Sequence, residues 1–152
     1  MNTRSAMRTI TMLSGLGLYA LLEIQSIALA DPVQLESGPL SDAVNQGQKL
    51  FQSETFSGNG KTCNSCHPDN GKSGSTLPDG RKVPSLNNAA SIFPRFHART
   101  ERVFTLSDQV RHCISEIKGT PPEYGSAKLS ALVTYVSSLS EGQPIDMGGR
   151  PK

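Results

Sequence analysis

A single pentapeptide, Cys63-Asn64-Ser65-Cys66-His67, narrows the folds open to this 152-residue chain more than any other part of its sequence. Two thiols three positions apart on one helical turn can each form a thioether with a vinyl group of one haem, and the adjacent imidazole then lies beneath the iron. The motif predicts one covalently attached haem c, held by Cys63 and Cys66, with His67 as the proximal iron ligand. Only 36% of the residues are hydrophobic, so a large apolar ligand would help to fill a lean core.

Other uses of two closely spaced cysteines fit this sequence less well. A redox-active Cys-x-x-Cys pair is expected beside a βαβ pattern, which the sequence lacks. A structural zinc site needs four separately placed ligands, whereas Cys66 and His67 are neighbours in the chain. We therefore interpret the motif as a haem-attachment site.

Three segments with helical periodicity predict the fold class. The first covers about Ser41–Phe51, the second covers 105–118, and the third covers Ser126–Ser140. Thr105 and Asp108 form a capping-box pattern at the start of the second segment. Because no strand-like alternation is visible, we predict an all-α fold with three to four helices around one haem. One helix before the haem motif and a last helix at the C-terminus resemble the class I cytochrome c arrangement, which implies a cytochrome c-like fold.

The segment between the first two helices, residues 52–104, is rich in glycine and proline and predicts a long irregular loop. A loop of this length is usually held in place by something functional, so we expect it to wrap around the haem. The resemblance to class I cytochromes c implies that the first and last helices cross, with Gly47 at the crossing and facing Phe51 and Tyr135.

The N-terminal residues have the pattern of a secretory signal peptide. Arg4 and Arg8 precede a short apolar run from Ile10 to Leu22, and Ala28-Leu29-Ala30 provides a cleavage site after Ala30. The apolar run is shorter than the roughly 20 residues that span a bilayer, so we expect no stable membrane insertion after cleavage. This export signal predicts a periplasmic protein.

The remaining boundaries follow from the predicted helices. We expect the mature chain to consist of a short arm, one domain and a tail. The predicted ranges are 1–30 for the signal peptide, 31–40 for a flexible arm, 41–142 for the cytochrome c domain and 143–152 for a C-terminal tail.

The charge balance argues against a nucleic-acid partner. The net charge is +2 for the whole chain, and removal of Arg4, Arg8 and Glu23 with residues 1–30 leaves +1. Nucleic-acid-binding domains carry a marked excess of basic residues, as do segments that bind anionic membrane surfaces. We therefore expect redox partner proteins instead.

Four residues are candidates for the ligand on the other side of the iron. Met147 is the only methionine outside residues 1–30, and it follows the last predicted helix. His97 lies in the irregular segment, while His112 and Cys113 lie on the second helix. At about 100° per residue, Cys113 falls within about 45° of the centre of the apolar stripe and His112 about 145° away from it. Helical phase therefore predicts that Cys113 points into the core and that His112 points to solvent.

Cysteine arithmetic also favours Cys113 as the distal ligand. Two of the three cysteines attach the haem, which leaves an odd thiol in an exported protein and calls for pairing, reactivity or a metal. The alternative is a small buried hydrophobe, as free cysteine often is. A thiolate ligand would lower the pKa of Cys113 and the reduction potential of the haem. His97, His112 and Met147 remain as alternatives.

The sequence resembles a known family, the C-terminal haem domain of SoxA, and it is also similar to thiosulfate dehydrogenases. SoxA is the cytochrome subunit of a complex that attaches thiosulfate sulfur to a carrier protein. The resemblance rests on the haem motif, on Phe93-Pro94, on Cys113 and its neighbours, and on residues 121–126 before the last helix. It implies that Cys113 binds the haem iron or carries sulfane sulfur, and that a second cytochrome subunit and a small sulfur anion are partners.

The sequence departs from that family next to Cys113. The family tends to have an arginine one turn before the cysteine, where this chain has Gln109, and Arg111 or Arg102 would have to substitute for it. The basic run Arg95, Arg99 and Arg102 would orient an anion or neutralise haem propionates. The alternative for this run is a solvated surface.

Three functions follow as hypotheses. The first is a periplasmic monohaem c-type cytochrome that transfers electrons, since the haem carries the redox chemistry and the protein sets its potential and docking. The second, implied by the resemblance, is an enzyme or enzyme subunit that acts on thiosulfate or sulfane sulfur through Cys113. The third is a haem protein that binds small ligands at an open sixth position.

Overall fold

The computed structural model describes residues 38–152, and its main elements are helices. The predicted signal peptide and the predicted arm up to residue 37 lie outside the described residues. Three helices are long and two are single turns. Their bounds are Pro39–Ser53 (α1), Cys63–Cys66 (α2), Ala89–Ile92 (α3), Leu106–Glu116 (α4) and Ala127–Ser138 (α5).

The first helix begins earlier than its sequence pattern predicts. Pro39 occupies the first helical position, where its fixed φ suits the helix and its missing N–H is not needed. The Ser41 hydroxyl accepts a hydrogen bond from the Gly38 N–H (3.1 Å) and donates one to the Gly38 carbonyl (2.8 Å). Ser41 therefore lies inside the first turn, which it stabilises, and the helix begins two residues before the predicted start at Ser41.

The starts of the other two long helices agree with prediction. The Thr105 hydroxyl accepts from the Asp108 N–H at 3.2 Å, and the Asp108 carboxylate accepts from the Thr105 N–H at 2.8 Å. This reciprocal pair satisfies two N–H groups that have no partner within the helix. At α5, the Ser126 hydroxyl accepts from the Leu129 N–H at 3.2 Å.

Helices α1 and α5 pack directly against each other. A Cβ added at Gly47 would lie 2.6 Å from the Cβ of Tyr135 and would overlap the backbone carbonyl of Ala131. The rings of Phe51 and Tyr135 meet edge to face, with centroids 5.3 Å apart. The predicted contact of Gly47 with Tyr135 is confirmed. We call the contact between α1 and α5 through Gly47, Ala131 and Tyr135 the crossing.

The hydrophobic core extends from the crossing towards α4. Ile114 on α4 and Leu132 on α5 are each 1% exposed. Phe56, which follows α1, is also buried in this cluster. The buried core residues are Phe51, Phe56, Ala89, Ile114, Leu132, Tyr135 and Val136.

The prediction of a purely α-helical fold with three to four helices is wrong in detail. Four short strands form two antiparallel hairpins, and α2 and α3 add two single-turn helices within the segment predicted to be an irregular loop. The strands are only two or three residues long, which is too short for alternation to be visible in a sequence. Their bounds are Ser75–Thr76 (β1), Lys82–Val83 (β2), Arg95–His97 (β3) and Arg102–Phe104 (β4), with β1 paired to β2 and β3 to β4.

Within the described residues, no helix is long and apolar enough to cross a membrane.

Candidate haem site

The two cysteines of the pentapeptide lie on one turn of helix. Cys63 begins α2 and Cys66 ends it, and the Ser65 hydroxyl accepts a hydrogen bond from the Thr62 N–H at the helix start (3.0 Å). The Asn64 side chain accepts from the N–H of Asn70 (2.9 Å), which holds the following turn against the helix. The two thiols are therefore carried on a short, hydrogen-bonded segment.

His67 ends this turn and is oriented by a backbone carbonyl. Its Nδ1 lies 3.0 Å from the carbonyl oxygen of Pro84. A carbonyl oxygen can only accept, so Nδ1 carries the proton in this contact and Nε2 keeps a free lone pair. Burial lowers the pKa of His67, although the hydrogen bond to Pro84 acts in the opposite direction. A neutral imidazole with an oriented Nε2 is what an iron ligand requires.

Pro84 is the functional residue that sequence reasoning missed. It precedes α3, and the N–H of Leu86 donates to the Gly71 carbonyl (2.7 Å), which ties this segment to the turn after His67. Every residue has a backbone carbonyl, so no side-chain pattern could have marked this position. The contact depends on how the chain folds back 17 residues after His67.

The thiol of Cys113 on α4 lies near enough to the thiols of α2 to interact with them electrostatically. Burial raises the pKa of Cys63 to about 12, and charge repulsion from Cys113 and from Cys66 adds to this effect. The pKa of Cys113 is also raised, chiefly by the crowding of protein atoms, with Cys66 and Glu116 acting in the same direction. We call the region between Cys63, Cys66 and Cys113 the thiol cleft.

The predicted orientation of His112 is wrong, and Cys113 lies beside the attachment thiols but not in the protein core. Cys113 is exposed, and the buried position on this face of α4 belongs to Ile114. Cys113 is exposed as a residue, while protein atoms crowd its thiol. Both observations describe a thiol in a concave surface that solvent can reach. His112 is only 25% exposed in its side chain.

The hairpin of β3 and β4 explains why His112 is covered. His97 stacks on Phe104 with ring centroids 4.4 Å apart, and the edge of His112 packs on both rings at 5.0 and 5.7 Å. The hairpin therefore covers the helix face that the sequence pattern assigns to solvent. The Nδ1 of His97 is within hydrogen-bond distance of the Thr100 hydroxyl (3.0 Å).

The surroundings of Cys113 provide a neutral hydrogen-bond donor. The side-chain amide of Gln109 donates to the Cys113 sulfur at 3.3 Å. Arg111 does not replace the missing arginine, because its guanidinium donates to the Pro122 carbonyl and lies over the Tyr124 ring at 4.2 Å. Among the described residues, no lysine or arginine is near enough to lower the pKa of Cys113.

The remaining sequence candidates lie apart from the thiol cleft. The charge of Arg102 helps to lower the pKa of Asp108, although hydrogen bonds from Thr105 and Tyr124 lower it more. Arg95 lies near the ring of Phe93, 6.0 Å from its centroid. Arg99 is exposed, and Met147 is 67% exposed in the segment after α5. The structure therefore does not bring Arg95, Arg99 and Arg102 to the sulfur of Cys113.

The donor set fits a covalently bound haem. Two thiols are spaced by one helical turn, the next residue presents an oriented imidazole nitrogen, and a third thiol faces them from another helix. Haem c needs two thiols for its vinyl groups and one axial nitrogen, and soft sulfur donors also bind iron. A mostly helical fold with a small amount of strand around such a set defines a cytochrome c domain, which carries covalently bound haem c.

The chain belongs to the SoxA/TsdA cytochrome c domain family, whose sequence profile matches residues 46–145. A thiosulfate dehydrogenase of Stutzerimonas stutzeri is 27% identical over 116 residues, which are 72% of this chain and 36% of that protein. An L-cysteine S-thiosulfotransferase subunit SoxA of Hydrogenobacter thermophilus is 25% identical over 102 residues, which are 67% of this chain and 35% of that protein.

A solved structure has the same fold. The thiosulfate dehydrogenase TsdBA from Marichromatium purpuratum matches with a TM-score of 0.60 and 27% identity, over 74% of this chain and 25% of that chain. This chain spans about a third of the length of the two curated relatives named above. The resemblance predicted from the haem motif and from the residues around Cys113 is confirmed at the level of the family.

Proposed function

We propose that this protein is an exported monohaem c-type cytochrome that transfers electrons in the periplasm. The observation that carries the proposal is the hydrogen bond between His67 Nδ1 and the Pro84 carbonyl (3.0 Å), which leaves Nε2 free for the iron. In this proposal Cys63 and Cys66 attach the haem, His67 is the proximal ligand, and Cys113 is the distal ligand.

Each residue of the site has a separate task. When bound, the haem supplies a centre that takes up and releases one electron. Cys63 and Cys66 hold it on α2, so that it cannot be lost during turnover. Pro84 orients the imidazole of His67, and Gln109 donates a hydrogen bond to the sulfur of Cys113. Such partners set ligand orientation and strength, and with them the reduction potential.

The electrostatics around Cys113 favour electron transfer over chemistry on a sulfur anion. The groups that act on its thiol are the neutral amide of Gln109, the thiol of Cys66 and the carboxylate of Glu116. Glu116 is itself paired with Arg81 at 3.8 Å, so its charge is partly balanced, but none of the groups that act directly on the Cys113 thiol is a cation. Charged substrates are normally met by complementary charge.

The proposal includes a redox partner and a periplasmic location. The signal-peptide pattern of residues 1–30 supports export, and c-type haem is attached in that compartment. One relative is named as a subunit, and the similar solved structure is named as TsdBA. We therefore propose a second cytochrome subunit or another redox protein as the partner.

The decisive experiment compares spectra of the exported wild-type protein with those of Cys113→Ala. Mass spectrometry should first detect one covalently bound haem. The oxidised wild-type protein should then have a near-infrared thiolate-to-iron band, which Cys113→Ala should lose. His97→Ala and His112→Ala serve as matched controls, since these residues are the alternative ligands. An unchanged spectrum in Cys113→Ala would remove Cys113 from the iron.

A second candidate function is supported by the names of the relatives and by the third cysteine. In this reading the domain belongs to an enzyme that acts on thiosulfate or sulfane sulfur through Cys113. Thiosulfate would then reduce the oxidised haem of the purified protein, and Cys113→Ala would abolish that reduction. Reduction by a chemical donor but not by thiosulfate would favour the carrier.

A further inference from the structure

The segment after α5 folds back onto the part of the chain that contains Pro84. We call residues 143–152 the tail. The N–H of Asp146 donates to the Ser91 carbonyl at 2.8 Å, and the N–H of Gly148 donates to the Ile92 carbonyl at 3.0 Å. The tail therefore runs alongside α3 as a hydrogen-bonded segment.

The end of the tail is held by one buried side chain. Asn88 is 4% exposed, and both ends of its amide bind tail backbone. Its nitrogen donates to the Arg150 carbonyl at 2.9 Å, and its oxygen accepts from the Lys152 N–H at 3.1 Å. A buried polar group with both functions satisfied fixes its partners, because an unpaired buried donor or acceptor is strongly unfavourable.

The peptide group that joins Pro84 to Ser85 is bound on both sides. Its carbonyl accepts from His67 Nδ1 at 3.0 Å, and its N–H donates to the Lys152 carbonyl at 3.1 Å. The Ser85 hydroxyl also donates to the Lys152 carbonyl, at 3.2 Å. The proximal histidine and the tail are thus connected through a single amide plane.

A chain of hydrogen bonds of this kind is cooperative. An N–H that donates to an acceptor polarises its amide, and the carbonyl of that amide becomes a stronger acceptor. A stronger acceptor at Nδ1 makes the imidazole a better electron donor at Nε2. A more strongly donating ligand stabilises the oxidised iron and lowers the reduction potential.

We propose that the tail is a positioning element for His67, in which the Lys152 carbonyl, held by Asn88, orients and polarises the Pro84–Ser85 peptide and thereby lowers the reduction potential of the haem. This inference rests on the proposed function, since it requires His67 to bind the iron. It assigns a role to Asn88 and to the tail that neither the haem motif nor the family resemblance contains.

The test uses the full chain with its haem attached and measures the midpoint potential by redox titration. Deletion of residues 150–152 removes the Lys152 acceptor, and Asn88→Leu keeps a similar side-chain size but removes both hydrogen bonds to the tail without adding a charge. Both variants should have a higher potential. We expect a three- to tenfold change in the ratio of oxidised to reduced protein, or about 30–60 mV at 59 mV per tenfold for one electron.

The matched control is Asn87→Leu, because the Asn87 side chain donates to the Lys72 carbonyl at 3.0 Å and not to the tail. Its potential should equal that of the wild type. If the tail only stabilised the fold, the deletion would lower the free energy of unfolding and leave the reduction potential unchanged. An unchanged or lower potential in that variant would overturn the inference.

Failure of the inference and failure of the proposed function give different results. If the protein carried no covalent haem, or if His67→Ala left the spectrum of the bound haem unchanged, the proposed function would fail before any potential was compared. If the haem is attached and His67 binds it, the potential of the deletion variant decides the inference alone.

Discussion

Helices meet at both the crossing and the thiol cleft, but protein atoms fill the crossing, whereas thiol groups lie near one another at the cleft. At the crossing, Gly47 lets the backbones of α1 and α5 approach until Ala131 and Tyr135 are in contact with the glycine. At the thiol cleft, the side chains that face one another are Cys63, Cys66 and Cys113, and Cys113 is exposed.

The difference separates protein packing from ligand binding. Protein atoms at the crossing fill the contact, so its stability comes from dispersion and apolar burial. Protein atoms at the thiol cleft supply sulfur donors, which a covalent bond or a metal bond would use, and the pKa values of Cys63 and Cys113 are raised there. Substitutions at the crossing should therefore change folding stability, whereas substitutions at the cleft should change what the domain carries and its potential.

The largest effect should follow from removal of the attachment thiols. The double variant Cys63→Ala and Cys66→Ala should carry no covalent haem, because no thiol remains on α2 to form a thioether. Mass spectrometry of the denatured protein measures the loss. Ser65→Ala lies between the two thiols and should keep the haem. Covalent haem in the double variant would contradict the site.

At the crossing, Gly47→Val should lower the free energy of unfolding by about 3 kcal/mol, since its side chain would overlap the Ala131 carbonyl and force the helices apart. Urea unfolding of the haem-loaded protein measures the change. Asn45→Ala, on the exposed side of α1, should change it by about 0.5 kcal/mol or less. Equal stabilities for the two variants would mean that the crossing is not tightly packed.

A smaller effect is expected at the hydrogen bond to Cys113. Gln109→Leu removes the donor at 3.3 Å, so the sulfur becomes a stronger electron donor and the reduction potential should fall. One hydrogen bond of about 1 kcal/mol corresponds to about 40 mV for one electron. Voltammetry measures the shift. Ser115→Ala, on the exposed side of α4, should leave the potential unchanged, and a rise in Gln109→Leu would argue against Cys113 as the ligand.

The smallest effect should be the loss of the cap of α4. Hydrogen bonds from Thr105 and Tyr124 lower the pKa of Asp108, so its stabilising contribution is present above the ordinary carboxyl pKa and is lost as the pH falls through the lowered value. Asp108→Asn should cost about 0.5 kcal/mol of unfolding free energy near neutral pH. Urea unfolding across the acid range should find that the difference from wild type shrinks. A difference independent of pH would mean that the charge of Asp108 is not involved.

Local patterns predicted the parts of this fold that depend on neighbouring residues. The capping pair Thr105 and Asp108 was readable because both partners lie within one turn. The contact of Gly47 with Tyr135 was predictable because a cytochrome c-like fold requires the terminal helices to cross. The hairpins were not predictable, since strands of two or three residues carry no period and depend on packing for their stability.

The orientation of α4 is the instructive error. Helical phase gave a stripe that includes the buried Ile114, yet it assigned His112 to solvent. The β3–β4 hairpin covers that side through His97 and Phe104. Periodicity measures which face is apolar, and a histidine packed against two aromatic rings is counted as polar.

The sequence by itself determined that this chain attaches haem c, because the attachment chemistry needs only two thiols and an imidazole on one short stretch of chain. The tertiary structure alone decided which groups from distant parts of the chain lie beside the motif. The Pro84 carbonyl reaches His67, and the tail reaches Asn88 and Ser85. A backbone carbonyl has no signature in the amino-acid sequence, so its role becomes visible only when the chain has folded around it.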